Sequence, residues 1–352
     1  MNCPAPPSTF FAQALVNWQR QQGRHDLPWQ GTHEPYRIWV SEIMLQQTQV
    51  STVIPFYQRF MTTFPDVASL ARADLETVLG LWSGLGYYAR GRHLHRAAQE
   101  IVKQGFFPRS PEELQKLPGI GRSTAAAIAV FAFGRRAAIL DGNVKRVLGR
   151  FFALDDPGNA ELWTLAESQL PDRHLEAYTQ GLMDMGSLLC TRARPRCTDC
   201  PLQTQCQAHL RGETRRYPTA RRKTPRSQRH HRLLLLCTPD GRWLMEKRPV
   251  PGVWGGLWSF PIEDMDSLPT GHSRTLDLTP CPDLEPPPFI HRLTHFDWHL
   301  TPRVFRISEA VPAPSSSPWH WGTLSDLMTY PLPTPIHQLV HTLFTRETED
   351  VK

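Results

Sequence analysis

Four cysteines, Cys190, Cys197, Cys200 and Cys206, fall within 17 residues in the spacing C-x6-C-x2-C-x5-C. Four thiolates so close together suit either a structural zinc ion or a [4Fe–4S] cluster. Zinc sites commonly use two C-x2-C pairs. Here only Cys197 and Cys200 make such a pair, and the compact wrap of all four favours the cluster. The total of seven cysteines is odd and most of them are crowded, which a disulfide scaffold does not explain. Cys3, Cys237 and Cys281 have no neighbour at ligand spacing and read as incidental. Arg192, Arg194 and Arg196 lie between the first two ligands with no acid among them. A bare electron carrier has no need of them, whereas a loop shaped for phosphate contact does; a solvated basic loop is the plain alternative.

Two carboxylates sit where their chemistry would be unusual. Glu42 interrupts Trp39-Val40-Ser41-Glu42-Ile43-Met44-Leu45, an otherwise apolar helical stretch. Burial there is costly for an unpaired glutamate and raises its pKa, so that it becomes a proton donor. The alternative is an exposed residue on the polar side of the helix. Gln46, Gln47 and Thr48 follow at once, polar side chains suited to the edges of bases. Asp141 follows apolar Ile139-Leu140 and precedes a helical pattern in Val144, Val147 and Leu148, so it reads first as an N-cap. A capping aspartate is also a carboxylate held in its charged form, able to stabilise a developing sugar cation. The two roles are compatible.

The elements that must position these groups are helical. From Phe10 to about His209 apolar residues recur at three and four, as in Phe10, Ala14 and Trp18. Ser69 to Leu79 reads as capped helical turns, and Pro111-Glu112-Glu113-Leu114 as a helix start capped by Ser110. No alternating strand pattern appears, and the first domain is expected to be all-α. Within it, Leu117-Pro118-Gly119-Ile120-Gly121 leads into Arg122-Ser123-Thr124 and a run of alanines. Two glycines around an apolar residue allow a tight turn with outward-facing amides, and amides at a helix start bind phosphate. This is the form of a helix–hairpin–helix, which grips the DNA backbone without reading sequence; an ordinary αα-turn is the alternative.

Length and charge divide the chain. At 352 residues it is comfortable for two domains. Residues 1–210 carry 21 Lys/Arg against 18 Asp/Glu, residues 211–232 nine against one, and residues 233–352 nine against 14. Proline also becomes denser after residue 210. The organisation expected is a catalytic domain over 1–210, a basic linker over 211–232 and a second domain over 233–352. In the last, Arg232–Cys237 and Trp243–Lys247 flank Pro239-Asp240-Gly241 as a hairpin. His299–Ile307 reads as a strand, Ile336–Phe344 as a short helix and Asp264–Pro288 as a long Pro-rich loop, giving an α+β domain with a central sheet. The longest apolar run, Ala125–Phe133, has nine residues, short of the about 20 needed to span a membrane. Met1-Asn2-Cys3-Pro4 is unlike a secretory signal.

Taken together these stretches resemble the adenine DNA glycosylases of the MutY type, within the endonuclease III superfamily. The likeness spans roughly residues 10–345 and runs in order through Leu27–Gln30, Ser41–Val50, Gly84–Arg90, the Leu117–Thr124 hairpin, Leu140–Arg146, the four cysteines and Trp254–Trp258. It implies a helix–hairpin–helix glycosylase domain with a [4Fe–4S] loop, followed by an α+β Nudix-like domain. It implies duplex DNA carrying adenine opposite 8-oxoguanine or guanine as substrate. Glu42 would be the proton donor and Asp141, oriented with help from Asn143, the electrostatic stabiliser. Contacts to DNA would come from Gln46, Gln47, Thr48, Leu85, Tyr87, Gly119, Gly121, Arg122, Ser123, Lys145 and the three arginines of the cysteine loop.

Strand-cleaving members of the superfamily carry a nucleophilic lysine where this chain has Ser123, whose hydroxyl cannot form a Schiff base, so a monofunctional enzyme is expected. Trp254-Gly255-Gly256-Leu257-Trp258 resembles the approach to a Nudix fold, yet residues 262–290 hold no Arg-Glu-x-x-Glu-Glu array, which implies the fold without the hydrolysis. In the family a Phe-Ser-His loop senses 8-oxoguanine. The matching Leu293-Thr294-His295 keeps the hydroxyl and the histidine but replaces the aromatic wedge. A monomer in a bacterial cytoplasm, associated with the nucleoid and not with a membrane, is the expected setting. Two other classes are weighed. A strand-cleaving pyrimidine glycosylase would need the lysine and lack the second domain. A non-enzymatic iron–sulfur DNA-binding protein would have no use for Glu42 and Asp141 together.

Overall fold

The computed structural model describes residues 9–219, 225–264, 278–307 and 318–350. Its contacts divide the chain into two compact units. One runs to Arg72 and resumes from His93 to Arg222; the other combines Ala73–Arg92 with the chain from Lys223. Among the described residues the first unit has no strand. None of the described helices is long and apolar enough to cross a membrane.

The first unit holds α1 (Thr9–Gln22), α2 (Pro35–Leu45), α3 (Val50–Thr63) and α4 (Val67–Arg72). Helix α5 (Leu75–Trp82) belongs to the second unit, and α6 (Ala89–Gln104) begins there and ends in the first. The turns expected over Ser69–Leu79 are thus two helices, with Asp74 accepting from the Thr77 amide at 2.8 Å to start the second. Next come α7 (Pro111–Leu114), α8 (Arg122–Phe133), α9 (Gly142–Phe151), α10 (Asn159–Ser168), α11 (Leu175–Asp184) and α12 (Gln207–Leu210). Ser110 caps α7 in a reciprocal box with Glu113. Helix α8 buries six consecutive residues, Ala125–Val130, because a run of alanines lets neighbouring helices approach from every side. The core joins Phe11 and Leu15 of α1 to Val147, Leu148 and Phe151 of α9 and Leu182 of α11. Phe11 and Phe151 meet edge to face at 4.8 Å. Asp184, fully buried at the end of α11, is paired by Arg24 Nε at 2.7 Å and also accepts from the Arg24 amide and Gln180.

The second unit is built on a mixed sheet. β1 (Ser227–Cys237) pairs antiparallel with β2 (Arg242–Lys247) across the expected hairpin. β3 (Trp258–Ser259), β4 (Ile262–Asp264), β5 (Leu278–Pro280) and β6 (Phe289–Arg292) precede β7 (Phe296–Ile307) and β8 (Trp319–Thr323). β7 runs parallel to β1 from Ser227↔Phe296 to Cys237↔Arg306. Leu233–Cys237 are buried without alternation, as a strand covered on both faces requires. A short helix, α13 (Leu324–Leu327), and a longer one, α14 (Thr334–Asp350), follow β8. The stretch expected as a loop over Asp264–Pro288 contains β5 and a 3-10 turn at Pro282–Leu284, because Leu278 to Pro280 find open pairing sites along β7; residues 265–277 lie outside the described residues. The basic segment 211–232 is structured at both ends. Arg216 pairs with Asp155 and Glu213 on the first unit, and β1 starts as early as Ser227.

Candidate active site

Helix α2 begins where the Glu34 carboxylate accepts from the amides of Tyr36 and Arg37, with Pro35 set for the first turn. Seven of its eleven residues are buried, so a charged group in its middle has little water to turn to. Glu42 is that group. Some of its surface is accessible, yet its carboxyl is closely surrounded by protein. This desolvation, reinforced by the negative charge of Asp141, pushes its pKa up to about 8. Among the described residues no hydrogen bond or ion pair holds the Glu42 carboxylate in its ionised form. Glu42 therefore carries a proton at neutral pH.

Asp141 is the N-cap of α9. One oxygen accepts from the Val144 amide at 2.8 Å, and the other lies 3.4 Å from Asn143 Nδ2. The segment leading to it is tied to α8 by a hydrogen bond from the Leu140 amide to Ser123 Oγ at 2.9 Å. Ser123 thus stands at the hairpin as a structural acceptor one residue from the aspartate. Asn143 is held in turn, its Oδ1 accepting from Arg146 at 2.7 Å, while Arg146 also donates to the carbonyls of Cys190 and Gly186 at 2.7 Å. Gly186 is the second residue of the π-helical turn Met185–Leu189 that delivers Cys190. A Cβ on Gly186 would sit 2.4 Å from Asn143 Cβ, so only glycine lets that turn reach the start of α9. Arg146 and Gly186, which no sequence pattern singled out for function, connect the carboxylate end of α9 to the cysteine loop.

The four cysteines line one pocket, partly open to solvent, together with apolar Val147, Phe151 and Leu202. Arg150 of α9 reaches it almost wholly buried. It donates to Cys190 Sγ at 3.4 Å and to the carbonyls of Thr191, Arg192 and Tyr217. Burial pushes Cys200 up to about 12 and raises Cys197 and Cys206 as well. Four cysteine side chains around one pocket suit a cationic group that can offset thiolate charge, so the donor set has the chemistry a metal cluster needs. Arg192, Arg194 and Arg196 project from the surface of this loop.

The hairpin reaches its turn at Gly119, whose φ of +79° and 2.8 Å spacing from a built Cβ to His93 Cβ leave no room for a side chain. Gly121 is the N-cap of α8 and supplies no side-chain cap. Gln46, at the end of α2, donates to the Gly119 carbonyl at 3.3 Å and to Thr124 Oγ1 at 3.2 Å. Gln47 is exposed in a left-handed conformation and Thr48 is half-buried. Arg122 is engaged by Glu167 and stacks on Trp163 at 3.8 Å, and Lys145 donates to Asn159 Oδ1 at 2.8 Å. Glu42, Asp141, Asn143, Gln46 and the hairpin thus share one unit with the four cysteines.

In the second unit Tyr87 is 49% exposed with φ +50°, whereas Leu85 is 6% exposed. Leu85 is a packing residue of its loop here, since its apolar side chain turns inward while Tyr87 is held out. Leu293, Thr294 and His295 form the turn between β6 and β7, closed by the Leu293 amide on the Phe296 carbonyl at 3.0 Å, with Thr294 and His295 exposed.

A family described as "HhH-GPD superfamily base excision DNA repair protein" matches residues 40–184, and one described as "NUDIX domain" matches residues 232–342. The chain is 36% identical over 338 residues to an adenine DNA glycosylase of Buchnera aphidicola subsp. Baizongia pistaciae, covering 94% of this chain and 95% of that one. It is 43% identical over 221 residues to the adenine DNA glycosylase of Homo sapiens, covering 58% of this chain and 40% of that one. Among solved structures, a thermostable thymine-DNA glycosylase aligns with a TM-score of 0.53 at 28% identity, over 57% of this chain and 95% of that one.

The raised pKa of Glu42 has a consequence for stability. Between its ordinary value of 4.5 and its folded value of about 8, the folded chain holds a proton that the unfolded chain releases. Stability therefore falls as pH rises through this window. Glu42→Gln removes the linkage. The variant is expected to match wild type in melting temperature near pH 4 and to exceed it increasingly toward pH 8; parallel melting curves across this range would show that the carboxyl is not desolvated.

Proposed function

The chain belongs to the adenine DNA glycosylase family, and from that premise we propose that it excises adenine mispaired with 8-oxoguanine or guanine in duplex DNA. The observation that carries the reading is the pairing of a desolvated, protonated Glu42 with an Asp141 fixed by a helix amide. Base excision needs both: an acid for the leaving base and a carboxylate for the sugar. The adenine is turned out of the stack to reach them. Glu42 donates its proton to adenine N7, the C1′–N9 bond breaks with its electrons passing to the base, and the Asp141 carboxylate stabilises the oxocarbenium-like sugar. Water attacks C1′ and returns a proton to Glu42, leaving free adenine and an abasic site. Asn143, gripped by Arg146, orients Asp141.

Ser123 has no amine and its oxygen is engaged by the Leu140 amide, which supports a glycosylase that leaves the strand uncut. Cys190, Cys197, Cys200 and Cys206 would hold a [4Fe–4S] cluster, which when bound supplies positive charge to the thiolates and staples the loop bearing the three arginines. That reading is favoured over zinc because the C-x6-C-x2-C-x5-C wrap has only one C-x2-C pair where zinc sites commonly use two. Backbone amides after Gly119 and Gly121, with Arg192, Arg194 and Arg196, hold phosphates. Gln47, Thr48 and Tyr87 approach the bases, and the Leu293-Thr294-His295 turn reads the partner base, with Leu293 a weaker wedge than an aromatic ring.

Single-turnover excision on an adenine:8-oxoguanine duplex is expected to slow by about 100-fold or more in Glu42→Gln, the scale of lost general acid catalysis. Near-normal base release would refute the assignment. Borohydride should trap at most a weak covalent adduct between wild type and this duplex, through the nearby Lys145 amine; trapping with the efficiency of a strand-cleaving glycosylase would contradict a monofunctional enzyme.

A further inference from the structure

Residues 73–92 lie between helices of the first unit in sequence but pack in the second. Their attachment is made by the Trp254-Gly255-Gly256-Leu257-Trp258 strip, which in a Nudix hydrolase would serve the approach to a catalytic helix. Trp258 Nε1 donates to Glu76 Oε1 at 2.6 Å, and Lys247 Nζ pairs with Glu76 Oε2 at 2.7 Å. Arg92 donates to the Gly255 carbonyl at 2.7 Å. Gly256, at φ +82°, lies so close to Leu79 that a built Cβ would stand 3.1 Å from Leu79 Cδ1. Ser83 Oγ adds a bond to the Leu332 carbonyl at 2.6 Å. These ties bracket the exposed Tyr87 on both sides in sequence. Within the bracket the loop is shaped by Arg90, 8% exposed, which donates to the Gly86 carbonyl at 3.2 Å and lies 5.5 Å from the Tyr87 ring.

The other end of the same strip meets the recognition turn. Trp254 packs on Trp298 of β7 at 4.7 Å and on His291 of β6 at 5.3 Å, the two strands that the Leu293-Thr294-His295 turn joins. One short strip thus contacts the bases of both exposed elements, at Trp254 on one side and at Gly255, Gly256 and Trp258 on the other. We infer that Glu76 and Arg92 are positioning residues that fix the Tyr87 loop on the Trp254–Trp258 strip, so that engagement of the partner base by the 293–295 turn sets how Tyr87 enters the duplex. The inference rests on the reading that Tyr87 approaches the base stack. A charged anchor on each flank suits this task, because a loop of Gly84, Leu85, Gly86 and a left-handed Tyr87 has little regular structure to fix its own direction.

The test uses the full-length, cluster-loaded protein in three variants, Glu76→Gln, Arg92→Ala and Tyr87→Ala. Two quantities are read: amide exchange at residues 83–88 in the free protein, and the single-turnover excision ratio for adenine opposite 8-oxoguanine over adenine opposite guanine. Glu76→Gln keeps an acceptor for Trp258 and loses only the charge, and so guards against a variant that fails to fold. Exchange at 83–88 should rise about tenfold in Glu76→Gln and Arg92→Ala, with the excision ratio lowered at least fivefold. In a Tyr87→Ala background neither anchor change should lower the ratio further. Unaltered exchange, an unaltered ratio, or a full additional loss in the Tyr87→Ala background would overturn the inference. If exchange rises but Tyr87→Ala itself keeps the wild-type ratio, the anchors still hold the loop, and what falls is the role of Tyr87 together with the coupling built on it.

Discussion

Two carboxyl groups, Glu42 in the middle of a buried helix and Asp141 at a helix start, are placed close enough here for the negative charge of Asp141 to raise the pKa of Glu42. The remaining features of the first unit serve that constraint. Glu42 is kept protonated by removing water, at a cost in folding stability that grows with pH. Asp141 is held by the Val144 amide, with the Asn143 side chain nearby. Like charges alone would distribute one proton over the pair. On the proposed reading, the desolvated surroundings of Glu42 give it the part of acid and leave Asp141 that of electrostatic stabiliser.

Such an assignment depends on placement, and the placement is made by backbone contacts at several removes. Ser123 fixes the residue before Asp141, Gly186 lets the π-turn reach Asn143, and Arg146 spans from Asn143 to the Cys190 carbonyl. The cysteine loop is therefore attached to the same helix that presents the aspartate. A group bound by the four thiols would order one end of this chain of contacts. Arg150, buried against Cys190, adds a second grip from the same helix.

Much of this could be read from the residues. Glu42 was visible as a charge in an apolar helix, Asp141 as a cap before Val144, and Ser110 as the cap of the helix starting at Pro111, because these are local patterns with local causes. The hairpin glycines were legible for the same reason, since their backbone conformations need a missing Cβ. Contacts between residues far apart in sequence left no such trace. Nothing in Asp184 or Arg24 marks them as a buried pair, and nothing in Gly186 marks it as the site of a close approach. Leu85 and Tyr87 stand two residues apart in a glycine-rich loop, and only the folded backbone decides which is buried. The strand at Leu278–Pro280 escaped notice because β7 supplies its pairing partner from a distant segment. The pairing of residues 73–92 with the second unit has the same origin: α5 is an ordinary capped helix until Lys247 and Trp258 meet its Glu76.

The central claim is that Glu42 acts as a protonated acid at neutral pH. Its most direct test is the pH dependence of the single-turnover excision rate on an adenine:8-oxoguanine duplex, at saturating protein and constant ionic strength. The rate should hold nearly level up to about pH 7 and fall above about 8, approaching tenfold per unit, as the proton is lost. A rate that rises through this range would mean that the reaction uses the ionised form of Glu42, and would contradict the account.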